Sequence, residues 1–363
     1  MFEPGQGYHR TYRPGGPGHI KKTSKPMVSR FLLKDIALQA GVGTATVDRV
    51  LNDRGNVRWQ TVERVRNAIA ELERQSGQLA LAGARLIIDF IVEAPGSFRN
   101  ALDEALQSEL PLLQPAAFRV RKDMRQNFPL ADLDRVIARA EKRGSHGIVL
   151  MAPDTERVRH AIEGASRRGI PVVTLATDLP GSRRQAYVGL DNPRAGETAA
   201  WFFWRLWGSN GALRVLLTLR NDHFRGEEQR AASFRRAMKR MMPSVHVDMF
   251  VEGHDTSAFM RKVMEAARGK PYDGLYSVGG NNVMLLRAFE EAGHRRPVLV
   301  GHDLDPDNRS LLRAGKIDLV IYHDLSEDVR NACRVIMSMQ SRGRMPMPSN
   351  GAALRLSMPP MMD

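Results

Sequence analysis

Apolar positions follow three different patterns along this chain. Residues 1–28 show no apolar periodicity, and their Gly, Pro and basic residues cannot bury enough surface to offset the entropy lost on ordering. Apolar side chains then recur at helical spacing, and beyond residue 85 short apolar runs alternate with amphipathic stretches. We predict a disordered basic arm over residues 1–28, a helical domain over 29–74, a linker over 75–85 and a large domain over 86–363.

The helical domain is predicted to hold three short helices. The first begins near Leu33 and is broken by the Gly41–Gly43 turn. The second runs from 44 to 51 and the third from about 60 to 73, each with apolar residues three or four positions apart. Three amphipathic helices of this size predict one small bundle with a shared core.

The large domain is predicted to be α/β, with doubly wound parallel sheets. The runs predicted as buried strands are Leu86–Val92, Gly147–Met151, Pro171–Leu175, Ala212–Thr218, Leu275–Val278, Val298–Gly301 and Leu319–Tyr322. Helical patterns separate them, which indicates parallel strands covered on both faces. So many strands exceed one modest sheet, so we predict two lobes, one of about 86–190 with 323–345 and one of about 191–322 with 346–363. A ligand cleft is expected between the lobes, at the carboxyl ends of the strands.

Composition and charge limit the partners, compartment and metal sites that we expect for the protein. A net charge of +14 makes polyanions natural partners. No stretch is apolar enough to span a membrane, and the first thirty residues lack the apolar segment of a secretory signal, so we expect a cytoplasmic protein with no membrane partner. The one cysteine, Cys333, allows no intramolecular disulfide and no cysteine-based metal cage, and we expect no metal and no cofactor.

The second predicted helix has the side chains that a DNA-reading helix needs. Such a helix needs short side chains near its start, for close approach to the major groove, and longer donors further on. Thr44, Ala45, Thr46 and Arg49 supply these. The segment 33–52, LKDIALQAGVGTATVDRVLN, resembles the DNA-binding head of the lactose-repressor (LacI/GalR) family, and its T-V-x-R-V-L-N continuation makes the resemblance specific.

The resemblance implies roles for individual residues. Thr44 and Ala45 correspond to the main base-reading positions, and Arg49 to a base or phosphate contact. Alternatives remain open, because Thr46 could cap or pack and Asn52 could only end its helix. The full DNA-binding set that the resemblance implies is Lys34, Thr44, Ala45, Thr46, Asp48, Arg49, Asn52, Asn56, Arg58 and Leu81.

Some positions depart from the family pattern. Leu32 stands where Thr or Ser is common, so the first helix is expected to lack a side-chain cap. Asp48 replaces a serine, and an acid here repels phosphate unless it pairs with an arginine or accepts from a cytosine amino group. The family's hinge helix is expected within 75–85, where Leu79 or Leu81 would be the residue that wedges into the minor groove. A plain linker is the alternative.

The remainder resembles the family's effector core, which is itself similar to periplasmic sugar-binding proteins. The phrases PVVTL (171–175), YVGLDN (187–192), RAASF (230–234), GNN (280–282) and VGHD (300–303) carry this resemblance in their order and spacing. It implies a sugar or polyol ligand, because Asp, Asn and Arg side chains can hydrogen-bond vicinal hydroxyls beside a stacking aromatic. The residues implied at the ligand are Phe98, Asp178, Arg230, Asn281, Asp303 and His323.

These inferences predict a ligand-responsive DNA-binding regulator, most simply a repressor that binds a double-stranded operator as a homodimer. The tail 357–363 has two prolines and no heptad repeat, so a coiled-coil tetramer has no support, although tetramers remain possible. We expect no enzyme, because the nucleophile-elbow, HExxH, Walker A and GxGxxG patterns are absent. The alternative is a cytoplasmic sugar sensor or solute-binding protein without specific DNA binding.

Overall fold

The computed structural model of the chain describes residues 31–55, 57–208, 213–220, 224–253, 255–341, 345, 347 and 351–362. The predicted arm over 1–28 and the predicted DNA contact Asn56 lie outside these residues. Contacts divide the chain into two units, Met1–Glu73 and Arg74–Asp363. Within the described ranges, no helix is long and apolar enough to cross a bilayer.

The first unit, which we call the head, contains α1 (Leu33–Ala40), α2 (Thr44–Leu51) and the start of α3 (Trp59–Leu81). No side chain among the described residues caps α1 at Leu32, as the sequence predicted. Gly41 ends α1 in the left-handed conformation, and Arg64 of α3 donates hydrogen bonds to the carbonyl oxygens of Ala40 and Gly41. The left-handed φ of 61° favours glycine at this turn, and a Cβ there would lie 2.8 Å from the Arg64 guanidinium and displace it.

The segment 75–85, predicted as a hinge helix or a plain linker, is helical as far as Leu81, where it continues α3. Nothing from Arg74 to Leu81 stops α3, because this stretch holds no proline, and Gly83 then takes the left-handed conformation that ends the helix. Leu81 is 5% exposed and packs with Leu86, Ala116 and Met337. Assigning Leu81 as a minor-groove wedge was therefore wrong for this structure, because the side chain is committed to a core.

The second unit alternates strands and helices. Its strands are β1 (Arg85–Glu93), β2 (Ala117–Arg125), β3 (Gly147–Met151), β4 (Val172–Leu175), β5 (Ala186–Val188), β6 (Arg214–Leu219), β7 (His246–Val251), β8 (Gly274–Ser277), β9 (Val298–His302), β10 (Leu319–Tyr322) and β11 (Arg355–Ser357). Its helices are α4 (Gly96–Glu109), α5 (Leu130–Lys142), α6 (Glu156–Arg167), α7 (Asn192–Trp207), α8 (Arg225–Met241), α9 (Thr256–Arg268), α10 (Asn282–Glu291), α11 (Pro306–Arg313) and α12 (Leu325–Gln340).

The strands form two sheets, each the centre of a lobe. The first has the order β2-β1-β3-β4-β5 and is parallel throughout. Helices α4 and α12 share a core with one face of it, and α5 and α6 with the other. The chain therefore returns to the first lobe through α12, before β11 completes the sheet of the second lobe.

The second lobe has the sheet order β11-β10-β9-β8-β6-β7, with β11 antiparallel to β10 and the other pairs parallel. Helices α7 and α8 cover one face, and α9, α10 and α11 the other. The central strands β6, β8 and β9 are buried on both faces, which explains their nearly uncharged sequences. The predicted α/β class with doubly wound parallel sheets is confirmed.

Candidate DNA-reading face and ligand cleft

One face of α2 is exposed and carries short side chains and a cation. Thr44, Ala45 and Arg49 are exposed, whereas Val47 and Leu51 are buried in the core of the head. Helical periodicity separates the two sets. The exposed side can approach a DNA groove closely at its start, and Arg49 supplies a long donor beyond it.

The elements on either side of α2 add exposed cations. Lys34 on α1 is exposed, and so is Arg58, which directly precedes α3 and whose carbonyl oxygen accepts from the Thr61 amide at 2.8 Å. Thr46 is half-buried, which fits a packing role as well as a DNA contact. The head therefore presents cations before and after its exposed α2 face.

Asp48 is held by neighbours within the head. Asn52 donates from Nδ2 to the Asp48 carbonyl oxygen at 3.0 Å and to its Oδ1 at 2.8 Å, and Arg54 donates from Nη1 to Oδ2 at 3.1 Å. The acid thus has the arginine partner that the sequence argument required of it. Arg54 itself was missed, because only the fold of the turn after α2 brings it back to Asp48. Since the pair is well exposed, it contributes little to stability and stays available for exchange with DNA.

A cleft of about 1010 Å³ lies between the two lobes of the second unit. Its walls are the segments that follow β1, β3 and β4 in the first lobe and β6, β8 and β9 in the second. These are carboxyl ends of parallel strands, where doubly wound sheets bind ligands. Five of the six predicted ligand residues line it: Phe98, Arg230, Asn281, Asp303 and His323.

Arg230 is fixed by residues close to the point where the chain crosses between lobes. Its Nη1 donates to Asn192 Oδ1 at 3.1 Å, and Asn192 donates from Nδ2 to the Tyr187 hydroxyl at 3.1 Å. The Tyr187 hydroxyl donates in turn to the Leu190 carbonyl oxygen at 2.8 Å. Burial raises the pKa of Tyr187, which keeps this hydroxyl a donor. The network orients the guanidinium, whose Nε has no hydrogen-bond partner among the described residues.

Strained backbone is concentrated at the cleft. Among the described residues other than glycine, four have a positive φ, and three of them, Ala176, Asn281 and Asp303, line the cleft. Asn281 donates from Nδ2 to Glu252 Oε2 at 2.7 Å, and Asn308 donates from Nδ2 to the Asp303 carbonyl oxygen at 2.7 Å. Such conformations persist where surrounding contacts enforce them, and they cluster at binding sites.

Two histidines behind the cleft have opposite electrostatics. Burial lowers the pKa of His323, but the charge and hydrogen bond of the buried Asp328, 2.5 Å from Nδ1, outweigh it and raise the pKa overall. Burial, with the Arg230 charge, holds the pKa of His302 well below its usual range. His302 Nε2 pairs with the Tyr276 hydroxyl at 2.7 Å. Of these two imidazoles that line the cleft, His323 is readily protonated and His302 stays neutral.

Asp178 does not reach the cleft, so its predicted ligand role is wrong. Arg184 holds both of its carboxylate oxygens, with Nη2 2.7 Å from Oδ2. Thr174 Oγ1 and the Leu179 amide donate to Oδ1 at 3.0 and 2.8 Å. The chain turns at Ala176, whose φ is 59°, so Ala176 and Thr177 line the cleft and Asp178 caps the loop behind it.

Comparison with known families assigns both parts of the chain. The pattern of the bacterial regulatory proteins of the lacI family matches residues 32–74, and that of the periplasmic binding protein domain matches residues 114–344. The chain belongs to the lacI family of regulators. It is a DNA-binding regulator that responds to a small ligand.

Solved structures share the fold of this lacI-family regulator at low identity. A protein described as a LacI transcriptional regulator from Bacteroides fragilis superposes with a TM-score of 0.66 and 11% identity, over 76% of this chain and 98% of its own. A glucose-galactose binding protein from Geobacillus stearothermophilus gives 0.64 and 18%, over 77% and 98%. The Caulobacter myo-inositol binding protein gives 0.65 and 14%, over 76% and 93%. A comparison with curated proteins finds no match.

Several cleft residues of this lacI-family regulator were missed by sequence reasoning. They are polar residues, and all but Asp305 have a hydrogen-bond partner distant in the chain: Glu252, Asn282, His302, Asp305 and Asn308. A usable signal existed for three of them, because Asn282 and His302 lie within the phrases GNN and VGHD at strand ends and Asp305 caps the start of α11. Glu252 follows an edge strand that the apolar pattern did not predict.

Proposed function

We propose that this regulator is a repressor of genes for the uptake or breakdown of a sugar or polyol, and that a ligand in the interlobe cleft sets its operator affinity. One observation carries the proposal. The chain combines a head whose exposed α2 face bears Thr44, Ala45 and Arg49 with a cleft in which Arg230, Asn281 and Asp303 meet. The glucose-galactose and myo-inositol binding proteins that share the core's fold support this ligand class.

The proposed mechanism needs no chemical step. Two heads of a homodimer bind the half-sites of a palindromic operator, with one α2 in each major groove. Hydroxyl groups of the ligand accept from Arg230 and donate to Asp303 of the second lobe, and its apolar face packs against Phe98 of the first lobe, so the bound ligand favours the closed cleft. Closure changes operator affinity only by the ratio of the ligand's affinities for the DNA-bound and free forms, and DNA changes ligand affinity by the same factor.

The DNA part is tested with Arg49→Ala in fluorescence anisotropy against a fragment from upstream of the regulator's own gene. We expect roughly 5- to 150-fold weaker binding to the specific fragment, as a lost base contact costs about 1–3 kcal/mol. Arg236→Ala is the control, because it removes an equal charge from the exposed surface of α8 in the second unit. If Arg49→Ala binds as the parent does, α2 is not the reading helix.

A second measurement separates the two ways in which Arg49 could contact DNA. A base contact predicts that Arg49→Ala weakens only the specific complex. A phosphate contact predicts equal weakening on random DNA and a salt slope reduced by about one. Sequence-independent binding by the parent protein at every salt concentration would instead favour a sugar sensor without an operator.

The ligand part is tested with Asp303→Ala. The variant should keep its operator affinity and lose the change that added sugars or polyols produce in the parent protein. Glu228→Ala, an exposed α8 residue that is not among those lining the cleft, should respond as the parent does. A normal ligand response in Asp303→Ala contradicts the assignment of the cleft.

A further inference from the structure

The cleft has the opposite charge balance from the protein as a whole. The chain has a net charge of +14. The described residues that line the cleft nevertheless include eight carboxylates against four arginines, and no lysine. The first lobe's wall contributes three carboxylates, Glu93, Glu104 and Asp324, and none of the four arginines; Asp324 pairs with Arg355 of the second lobe at 3.1 Å. In a basic protein, an acidic ligand site indicates selection by charge.

Two carboxylates of the second lobe's wall, those of Glu252 and Asp305, are held by neutral donors. Glu252 accepts from Asn281 at 2.7 Å and from the Thr256 hydroxyl at 2.6 Å. Asp305 accepts from the Asn308 amide at 2.8 Å, and burial together with the nearby charges of Asp303 and Asp307 raises its pKa. These acids therefore retain negative charge that no described arginine or lysine neutralises within 4 Å.

The Asp303 carboxylate is accessible from the cleft. Its side chain is 46% exposed, and its nearest cationic partner among the described residues is His323, whose Nε2 lies 3.9 Å from Oδ1. The left-handed φ of 65° fixes the backbone that presents it. A carboxylate held in this way and left open to a cleft is suited to a donor on the ligand.

A second, independent feature of the cleft also indicates a hydrogen-bond donor on the ligand. Asn282 lines the cleft and is 3% exposed, and it donates from Nδ2 to Asn308 Oδ1 at 2.7 Å. Its own Oδ1 is buried and accepts no hydrogen bond within the part of the chain that the structure describes. A buried acceptor without a partner costs about 1–3 kcal/mol, so a ligand N–H or O–H that reaches it gains affinity.

The acids do not form a metal site. Across the described residues, no three His, Cys, Asp or Glu side chains converge closely enough to hold a metal ion. The negative charge is instead spread over both walls, as suits an organic cation with several donors. Arg230, whose Nε is unpartnered among the described residues, stays available for oxygen atoms of the same ligand.

The geometry points to a hydroxylated ligand that carries a protonated amine, such as an amino sugar or amino polyol. Its hydroxyl oxygens accept from Arg230, and its ammonium group donates to the acidic wall around Asp303 and Glu252. This inference rests on the proposed function, because it names the ligand class of the same cleft. It goes beyond that function by excluding neutral and acidic sugars as the preferred ligands.

The test is calorimetric titration of the full-length protein with matched ligands. Glucosamine, galactosamine and mannosamine are each compared with the parent sugar and with the N-acetyl derivative, in which the positive charge is lost; glucuronate serves as the acidic probe. At least one amine should bind about tenfold or more tightly than both its counterparts, because hydrogen bonds between charged groups are the stronger ones. The difference should shrink as salt is raised.

Variants locate the effect. Asp303→Asn and Glu252→Gln should lower the ratio of amine to neutral-sugar affinity, a ratio that a general folding defect leaves unchanged. Glu228→Gln, an exposed α8 residue that is not among those lining the cleft, should preserve it. A neutral sugar or glucuronate that binds as tightly as every amine overturns this inference and leaves the proposed function intact. If no sugar of any charge binds or alters operator affinity, the proposed function itself fails.

Discussion

The close packing of α7 on α8 makes a sharp prediction for Gly196. A Cβ built there would lie 2.2 Å from the Arg230 carbonyl oxygen and 2.2 Å from Ser233 Oγ. The carbonyl belongs to a helix and cannot rotate away, and Ser233 Oγ is already hydrogen-bonded to the Gln229 and Arg230 carbonyl oxygens. Gly196→Ala therefore forces the two helices apart by about 1 Å, since ordinary carbon contacts begin near 3.4 Å.

The magnitude follows from two opposing effects. Overpacking of this kind costs about 1–3 kcal/mol, and replacing a helical glycine with alanine recovers about 0.8–1 kcal/mol of helix propensity. We expect a net loss of up to about 2 kcal/mol, or a drop of up to roughly 6 °C in the melting temperature for a unit of this size. The same displacement moves Arg230, so the ligand-dependent change in operator affinity should shrink as well.

Gly164 of α6 provides the matched control. A Cβ there would meet only the ends of flexible side chains, Arg168 Nη1 at 3.4 Å and Glu141 Oε1 at 3.9 Å. Gly164→Ala should therefore keep the propensity gain and raise stability by up to about 1 kcal/mol. The two variants are compared by urea unfolding and by operator binding with and without ligand. A similar gain in stability from both substitutions would refute the close helix approach.

Three further changes test other contacts. Gly147→Ala puts a methyl group 2.7 Å from Ile336 Cδ1, so we expect a loss of about 1–3 kcal/mol that Ile336→Val partly restores in a double-mutant cycle. Leu81→Ala should lower the free energy of unfolding in urea by about 2–5 kcal/mol. Leu79→Ala, at a side chain that is 78% exposed, should change it by less than about 0.5 kcal/mol. Equal effects of the two substitutions would contradict the burial of Leu81. The pKa of His323 is raised in the fold, so the stability that its protonation adds is complete below a pH of about 6.5 and is lost as pH rises through the folded pKa. The melting temperature should therefore fall over that pH range, and His323→Gln should flatten the fall. An unchanged slope in the variant would contradict a stabilising charge at His323.

The strands that the sequence predicted are those buried on both faces. The apolar runs at β3, β6, β8 and β9 coincide with central strands, where solvent touches neither face. The strands that sequence reasoning missed, β2, β5, β7 and β11, all lie at sheet edges. An edge strand is partly solvated, so its polar residues remove the apolar signal even though the backbone pairs fully.

Strand β2 shows the physical reason most clearly. Its sequence AFRVRKDMR carries five charges in nine residues and is not recognisable as a strand from hydropathy. Arg121 lies directly opposite Asp89 of β1 in register and binds its carboxylate through Nε and Nη2, at 2.9 and 2.6 Å. A partner 32 residues away thus compensates the charge, and only sheet order shows that compensation.

The ligand cleft was predictable only as far as each residue stood beside a strand end. Asn281 and Asp303 follow β8 and β9, so a rule about carboxyl ends of strands is sufficient to locate them. Asp178 satisfies the same rule and fails, because the left-handed turn at Ala176 points the chain away before that residue is reached. Arg230 lies on a helix, and its position depends on Asn192, 38 residues earlier. A residue's distance along the sequence from a strand end therefore predicts its place in the cleft where the chain leaves the sheet directly. It does not do so where a backbone turn or a remote side chain determines where the residue's side chain lies.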